Sequence, residues 1–145
     1  MIHLINTLWS KNSSEGYDAL KKLLDISGNS NSVYFYMDEF IEKLENGNSY
    51  FRTRALSLIT ANAKWDASGK IDKNINRILS HITHTKPITA RNFIKILPNL
   101  AEQKPKLKLD ILQALLNADT AGYSASMRPL VEADIKNAVN SINDL

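Results

Sequence analysis

Two histidines, His81 and His84, stand three residues apart near the end of an expected helix, a spacing that lets both imidazoles face one metal ion. No carboxylate or third histidine lies beside them and His3 is remote, so the ligand set is incomplete and no metal site is expected. As solvent-exposed residues at a helix end they would suit the negative end of the helix dipole. Trp65 and Asp66 put an aromatic ring and a carboxylate side by side, but adjacent residues cannot share a helix face. They read as a core tryptophan and a turn or N-cap aspartate. Glu39, Glu42 and Glu45 have no histidine or proline–cysteine partner and read as solvent charge. Lys70, Lys73 and Arg77 are spaced to share one helix face, opposite Ile71, Ile75 and Ile78, and they form a basic stripe. His81 continues it, Lys104, Lys106 and Lys108 extend it into the next segment, and Lys64 lies at the intervening turn. Such a stripe is either a solvated face or a surface for an anionic partner. A Gly-rich phosphate loop, a GxSxG elbow, an HExxH pair and a paired-carboxylate constellation are all lacking. A binding module is therefore expected rather than an enzyme, without catalytic residues or cofactor.

The elements that must position these residues are helical. Glycine and proline together number nine in 145 residues, and apolar residues recur at helical spacing nearly everywhere. Ile2, Ile5, Leu8 and Trp9 predict a short opening helix. Ser13 or Ser14 is expected to cap a second, carrying Tyr17, Leu20, Leu23 and Leu24 and ended by Gly28. A third, with Val33, Tyr36, Met37, Phe40, Ile41 and Leu44 on one face, stops at Asn46-Gly47. From Ser49 the chain repeats itself. A helix bearing Phe51, Ala55, Leu58 and Ile59 is followed after Gly69 by a partner with Ile71, Ile75, Ile78, Leu79 and Ile82. The plan returns about 37 residues later, with helices opened by Pro87 and Pro105, so that Arg54 aligns with Arg91, Asn62 with Asn99 and Ile75 with Ile111. Pro98 falls inside the Pro87 helix, where a kink rather than a terminus is expected. A last helix, about 126–142, turns Met127, Val131, Ile135, Ala138, Val139 and Ile142 inward and caps the array. Leu58, Ile59, Ile75, Ile78, Leu97 and Ile111 are expected at the centre of the core.

Composition narrows the function classes. The chain has no cysteine, which removes disulfides, thiolate metal sites and cysteine nucleophiles, and a cytoplasmic setting fits. The apolar start lacks a basic leader and no later run approaches the length of a membrane span, so neither a signal segment nor a membrane partner is expected. The net charge of +3 hides an asymmetry. Residues 1–48 carry four Lys/Arg against seven Asp/Glu, residues 49–108 twelve against three, and residues 109–145 two against five. Basic charge is concentrated in the middle, which suits nucleic acid or an acidic protein.

The stretch Lys86-Pro87-Ile88-Thr89-Ala90-Arg91-Asn92-Phe93-Ile94-Lys95-Ile96-Leu97 resembles the first helix of a HEAT repeat: a proline at the helix start, an arginine four residues on, then aliphatics leading to a leucine. Ser49 to Asn62 is similar but lacks the proline, and the likeness spans residues 32–118. The Asn48-Ser49-Tyr50-Phe51-Arg52-Thr53-Arg54 and Asn62-Ala63-Lys64-Trp65-Asp66 segments resemble those of small bacterial HEAT-like proteins. The resemblance implies an all-α, right-handed stack of antiparallel helix pairs, an armadillo-like superhelix of six to eight helices in one domain, 1–145. The pairs are expected at 14–46, 49–83 and 86–118. It implies that Arg54 and Arg91 form a structural ladder, each pairing with an acidic residue of an adjacent helix, and that the basic stripe lines the concave surface. A protein partner is then expected first, with nucleic acid bound through the central basic region as the alternative. Trp65 and Asp66 also invite comparison with HEAT-like DNA glycosylases, which use aromatic and acidic side chains on a concave helical face. This chain departs from them, since no second tryptophan lies in a later repeat.

Overall fold

The computed structural model describes residues 1–145 and is all-helical, with nine α-helices, four 3-10 turns and no strand. The chain forms two compact units, residues 1–73 and 74–145, and the division falls inside the helix expected over 70–83.

In the first unit α1 (Ile2–Leu8) leads to α2 (Ser13–Asn29). The cap of α2 is Asn12 rather than Ser13 or Ser14: its side-chain oxygen accepts the Glu15 N–H at 3.1 Å, and Ser13 is already helical. Tyr17 faces outward, 57% exposed. A 3-10 turn at Val33–Tyr36 runs into α3 (Met37–Lys43), and α4 (Ser49–Ala61) is capped by Asn48 through the Tyr50 N–H. The 3-10 turn Ala63–Trp65 and the single-turn α5 (Lys70–Lys73) close the unit. Leu8, Leu23, Val33, Met37, Phe40, Leu58 and Ile59 are wholly buried. Trp9 meets Phe40 and Phe51 edge-on, at 6.3 and 5.8 Å between ring centres. Its indole N–H donates to Glu39 at 2.7 Å, so this glutamate is a structural acceptor and not merely solvent charge.

α2 and α4 lie side by side and parallel. Gly16 near the start of α2 touches Arg54 of α4, whereas Ser27 and Gly28 near its end touch Asn62, Lys64 and Trp65 beyond the end of α4. Asn62 is completely buried and donates through Nδ2 to Ser27 Oγ at 3.0 Å and to Leu58 O at 2.8 Å. Asn99, its counterpart in the sequence repeat, is exposed.

The second unit begins with α6 (Ile75–Leu79), which passes through a 3-10 turn, Ser80–Thr83, to α7 (Pro87–Gln103). The expected helix 70–83 is interrupted because Asn74 takes φ −113° and ψ 15°, outside the helical basin, as asparagine does more readily than most residues in a helix interior. That interruption raises the helix count above the expected range. It also leaves Ile75 half-buried at a helix start, whereas Leu58, Ile59, Ile78, Leu97 and Ile111 are fully buried as expected. α7 continues through Pro98 to Gln103 although that residue has no N–H to donate. The 3-10 turn Pro105–Leu107 then opens α8 (Lys108–Leu116), and α9 (Arg128–Asn143) packs on α7 and α8 with Val131, Asp134, Ala138 and Ile142 inward.

Candidate partner-binding surface

The residues expected to meet a partner fall in both units. In the first, Lys64 is exposed but donates to Gly28 O at 2.8 Å and lies 5.2 Å from the Trp65 ring centre. Trp65 donates its indole N–H to Ser27 O at 2.8 Å. Lysine and tryptophan together satisfy carbonyls in the last turn of α2, where positive charge is favoured. Lys70 pairs with Asp38 at 3.0 Å and sits 5.7 Å from the Tyr34 ring centre, so it is not a free surface charge. Asp66, 3% exposed, accepts the N–H groups of Lys70 and Ile71 at 3.0 and 2.9 Å and the hydroxyl of Tyr34. Of the two roles expected, Asp66 takes the turn, four residues before α5, and from there its carboxylate satisfies the first N–H groups of that helix. Burial, followed by the bond to Asp66, pushes the Tyr34 hydroxyl above the usual tyrosine value. Lys73 is exposed.

In the second unit Arg77 is half-buried on α6, Lys104 is the C-cap of α7, Lys106 is exposed in the following turn, and Lys108 is the first residue of α8. Lys73, Lys106 and Lys108 make no ion pair. The expectation that His81 and His84 are solvent-exposed is wrong: both are buried, 8% and 6% exposed, with stacked rings 5.6 Å apart. His81 Nδ1 lies 3.1 Å from Arg77 O, and His84 Nδ1 accepts the Lys86 N–H at 2.9 Å. Tyr123 donates its hydroxyl to His84 O at 2.6 Å. The pair organises the connection between α6 and α7, and His81 leaves the basic stripe as a core residue.

The two arginines of the expected ladder differ. Arg91 follows expectation: its Nε donates at 2.6 Å to Asp134 of α9, which is only 9% exposed, and that bond raises the guanidinium pKa. Arg54 does not. Its Nη1 donates to the carbonyls of Leu8 and Ser10 at 2.8 and 3.0 Å, so a cation from α4 caps the C-terminal end of α1 in place of pairing with a carboxylate. Burial lowers its pKa, and its guanidinium lies against Gly16. Neither Gly16 nor Asp134 stands out as a motif. A glycine inside an otherwise regular helix does signal a close approach, and Asp134 sits in the register of Val131, Ala138 and Ile142, where an isolated carboxylate requires a partner.

Groups of three or more residues able to hold a metal ion are lacking, and no helix is long and apolar enough to cross a membrane. Comparison of the chain with family models, with curated proteins and with solved structures gives no match.

Proposed function

We propose that the chain is a non-enzymatic helical-repeat module of HEAT or armadillo-like type that offers a partly basic surface to a protein partner, in the cytoplasm. The observation that carries this reading is the parallel seating of α2 and α4. The hydrogen bonds that join the end of α2 to the segment after α4 span 35, 36 and 38 residues, which brackets the sequence period of about 37. Helix pairs stacked with such a period form a continuous core and leave their flanks for recognition. The placement of lysine supports the binding role. Lys73, Lys106 and Lys108 make no ion pair within the chain, which leaves their charge for the carboxylates of a partner. A protein partner is favoured over nucleic acid because Lys70 and Lys64 lie over Tyr34 and Trp65. Those rings are covered by the chain's own ammonium groups and do not form stacking platforms for bases.

The test is the triple variant Lys73→Glu, Lys106→Glu, Lys108→Glu, which spares Lys70 and its partner Asp38. It should keep the wild-type circular dichroism and melting temperature, and it should lose most of the protein captured by wild type from cytoplasmic extract at low salt. Unchanged capture by a folded variant, with unchanged salt dependence, would make these lysines solvated surface and end the proposal.

A further inference from the structure

We propose that Asn46 is a site of spontaneous deamidation, which turns its carboxamide into an aspartate or isoaspartate carboxylate between α3 and α4. Asn46-Gly47 is the one place in the chain where glycine follows asparagine. Glycine has no Cβ to shield its main-chain nitrogen, so the asparagine side chain can approach that nitrogen closely. Both residues lie outside the helices, and Gly47 is exposed. The Asn46 N–H donates to Lys43 O at 3.1 Å, and the side-chain Oδ1 of Asn46 accepts the Asn48 N–H at 2.9 Å. This turn carries the carboxamide across the Gly47 peptide. The Asn48 N–H also draws electron density from Asn46 Cγ, the atom that must be attacked. The Gly47 N–H makes no hydrogen bond within the chain, so its nitrogen can react without breaking a bond of the fold. That nitrogen gives its proton to hydroxide and bonds to Asn46 Cγ; the Cγ–Nδ2 bond breaks, and Nδ2 leaves as ammonia with a proton from water. Water then opens the cyclic imide. Attack at Cγ gives aspartate, and attack at the main-chain carbonyl carbon gives isoaspartate, with no change of oxidation state.

Asparagines followed by serine, the next smallest neighbour, are held differently. Asn12 and Asn48 cap α2 and α4 through their side-chain oxygens. Asn29 closes α2 and donates through Nδ2 to Asp25 O at 3.1 Å, while Asn140 lies inside α9, whose hydrogen-bond ladder engages the following N–H. Asn46 alone combines a free, unshielded neighbouring nitrogen with a carboxamide turned across it. Conversion adds one negative charge two residues before the cap of α4, where the N-terminal end of a helix favours it, so the aspartate product keeps the fold. The isoaspartate product instead inserts a methylene carbon into the main chain between α3 and α4.

The test incubates the full folded chain at mildly alkaline pH and maps its peptides by mass spectrometry, separating aspartate from isoaspartate at each converted position. Asn46 is expected to convert first and mainly to isoaspartate, while Asn12, Asn48 and Asn140 keep their amides over the same period. Gly47→Ala should fold like wild type, since a Cβ at Gly47 meets nothing within 4 Å, and should slow the conversion at least about tenfold. Aspartate without isoaspartate would show that no imide forms and would overturn the proposal. So would a rate indifferent to Gly47→Ala, or conversion of Asn46 in the urea-unfolded chain but not in the folded one. None of these readouts involves a partner, so the result stands apart from the test of the lysine surface.

Discussion

Gly16→Ala is expected to destabilise the chain by about 2–4 kcal/mol, against the ordinary rule that replacing glycine by alanine inside a helix stabilises by about 1 kcal/mol. Gly16 is buried in α2, and a Cβ there would collide with the Arg54 guanidinium. That group is the end of a long side chain, but it is only 5% exposed and held by the carbonyls of Leu8 and Ser10. Moving it leaves a buried charge and two helix-end carbonyls poorly satisfied, and that penalty exceeds the gain in helix propensity. Arg54→Met removes both the collision and the charge, so in that background Gly16→Ala should cost little or stabilise. Chemical denaturation of the four proteins of the double-mutant cycle measures the coupling, and a cycle without coupling would show that Gly16 and Arg54 do not constrain each other.

Leu97→Ala should cost about 2–5 kcal/mol and lower the melting temperature by several degrees. Leu97 has no exposed surface, and it belongs to α7, which packs on α9 in the second unit. Leu116→Ala removes the same atoms from the same unit but from a residue 69% exposed, and should change stability by no more than about 0.5 kcal/mol. Thermal melts of the two variants check the burial assignment, which would be wrong if they shifted equally.

The helices were legible where cap chemistry and apolar spacing agreed. The spacing of Ile2, Ile5 and Leu8 marked α1, and Pro87 marked the start of α7. The break at Asn74 was not legible, because the apolar residues Ile71, Ile75 and Ile78 keep helical spacing across it while the backbone does not. Asn74 is polar in an otherwise regular run, and only the conformation shows how much that matters. The burial of His81 and His84 was not legible from their place at a helix end, although His81 lies three residues after buried Ile78 on the same side of the helix. The candidate surface was legible as a concentration of charge and no further. Sequence spacing placed Lys70 beside Lys73 but could not reveal that Asp38, more than thirty residues earlier, pairs with it. Arg54 and Arg91 stand 37 residues apart with similar neighbours in the sequence, yet one reaches carbonyls and the other a carboxylate, since long side chains take whichever acceptor the local packing presents.

Two equilibrium titrations of the wild-type chain at physiological salt, one with a fluorescein-labelled DNA duplex and the other with the protein recovered in the capture experiment, decide whether Lys73, Lys106 and Lys108 serve a protein partner or nucleic acid. Binding to DNA is predicted to be no tighter than the nonspecific range of about 10⁻⁴ to 10⁻⁶ M, with the protein partner bound more tightly and weakened by the triple lysine variant. Saturable binding to DNA tighter than the protein complex, lost in that variant, would contradict the account.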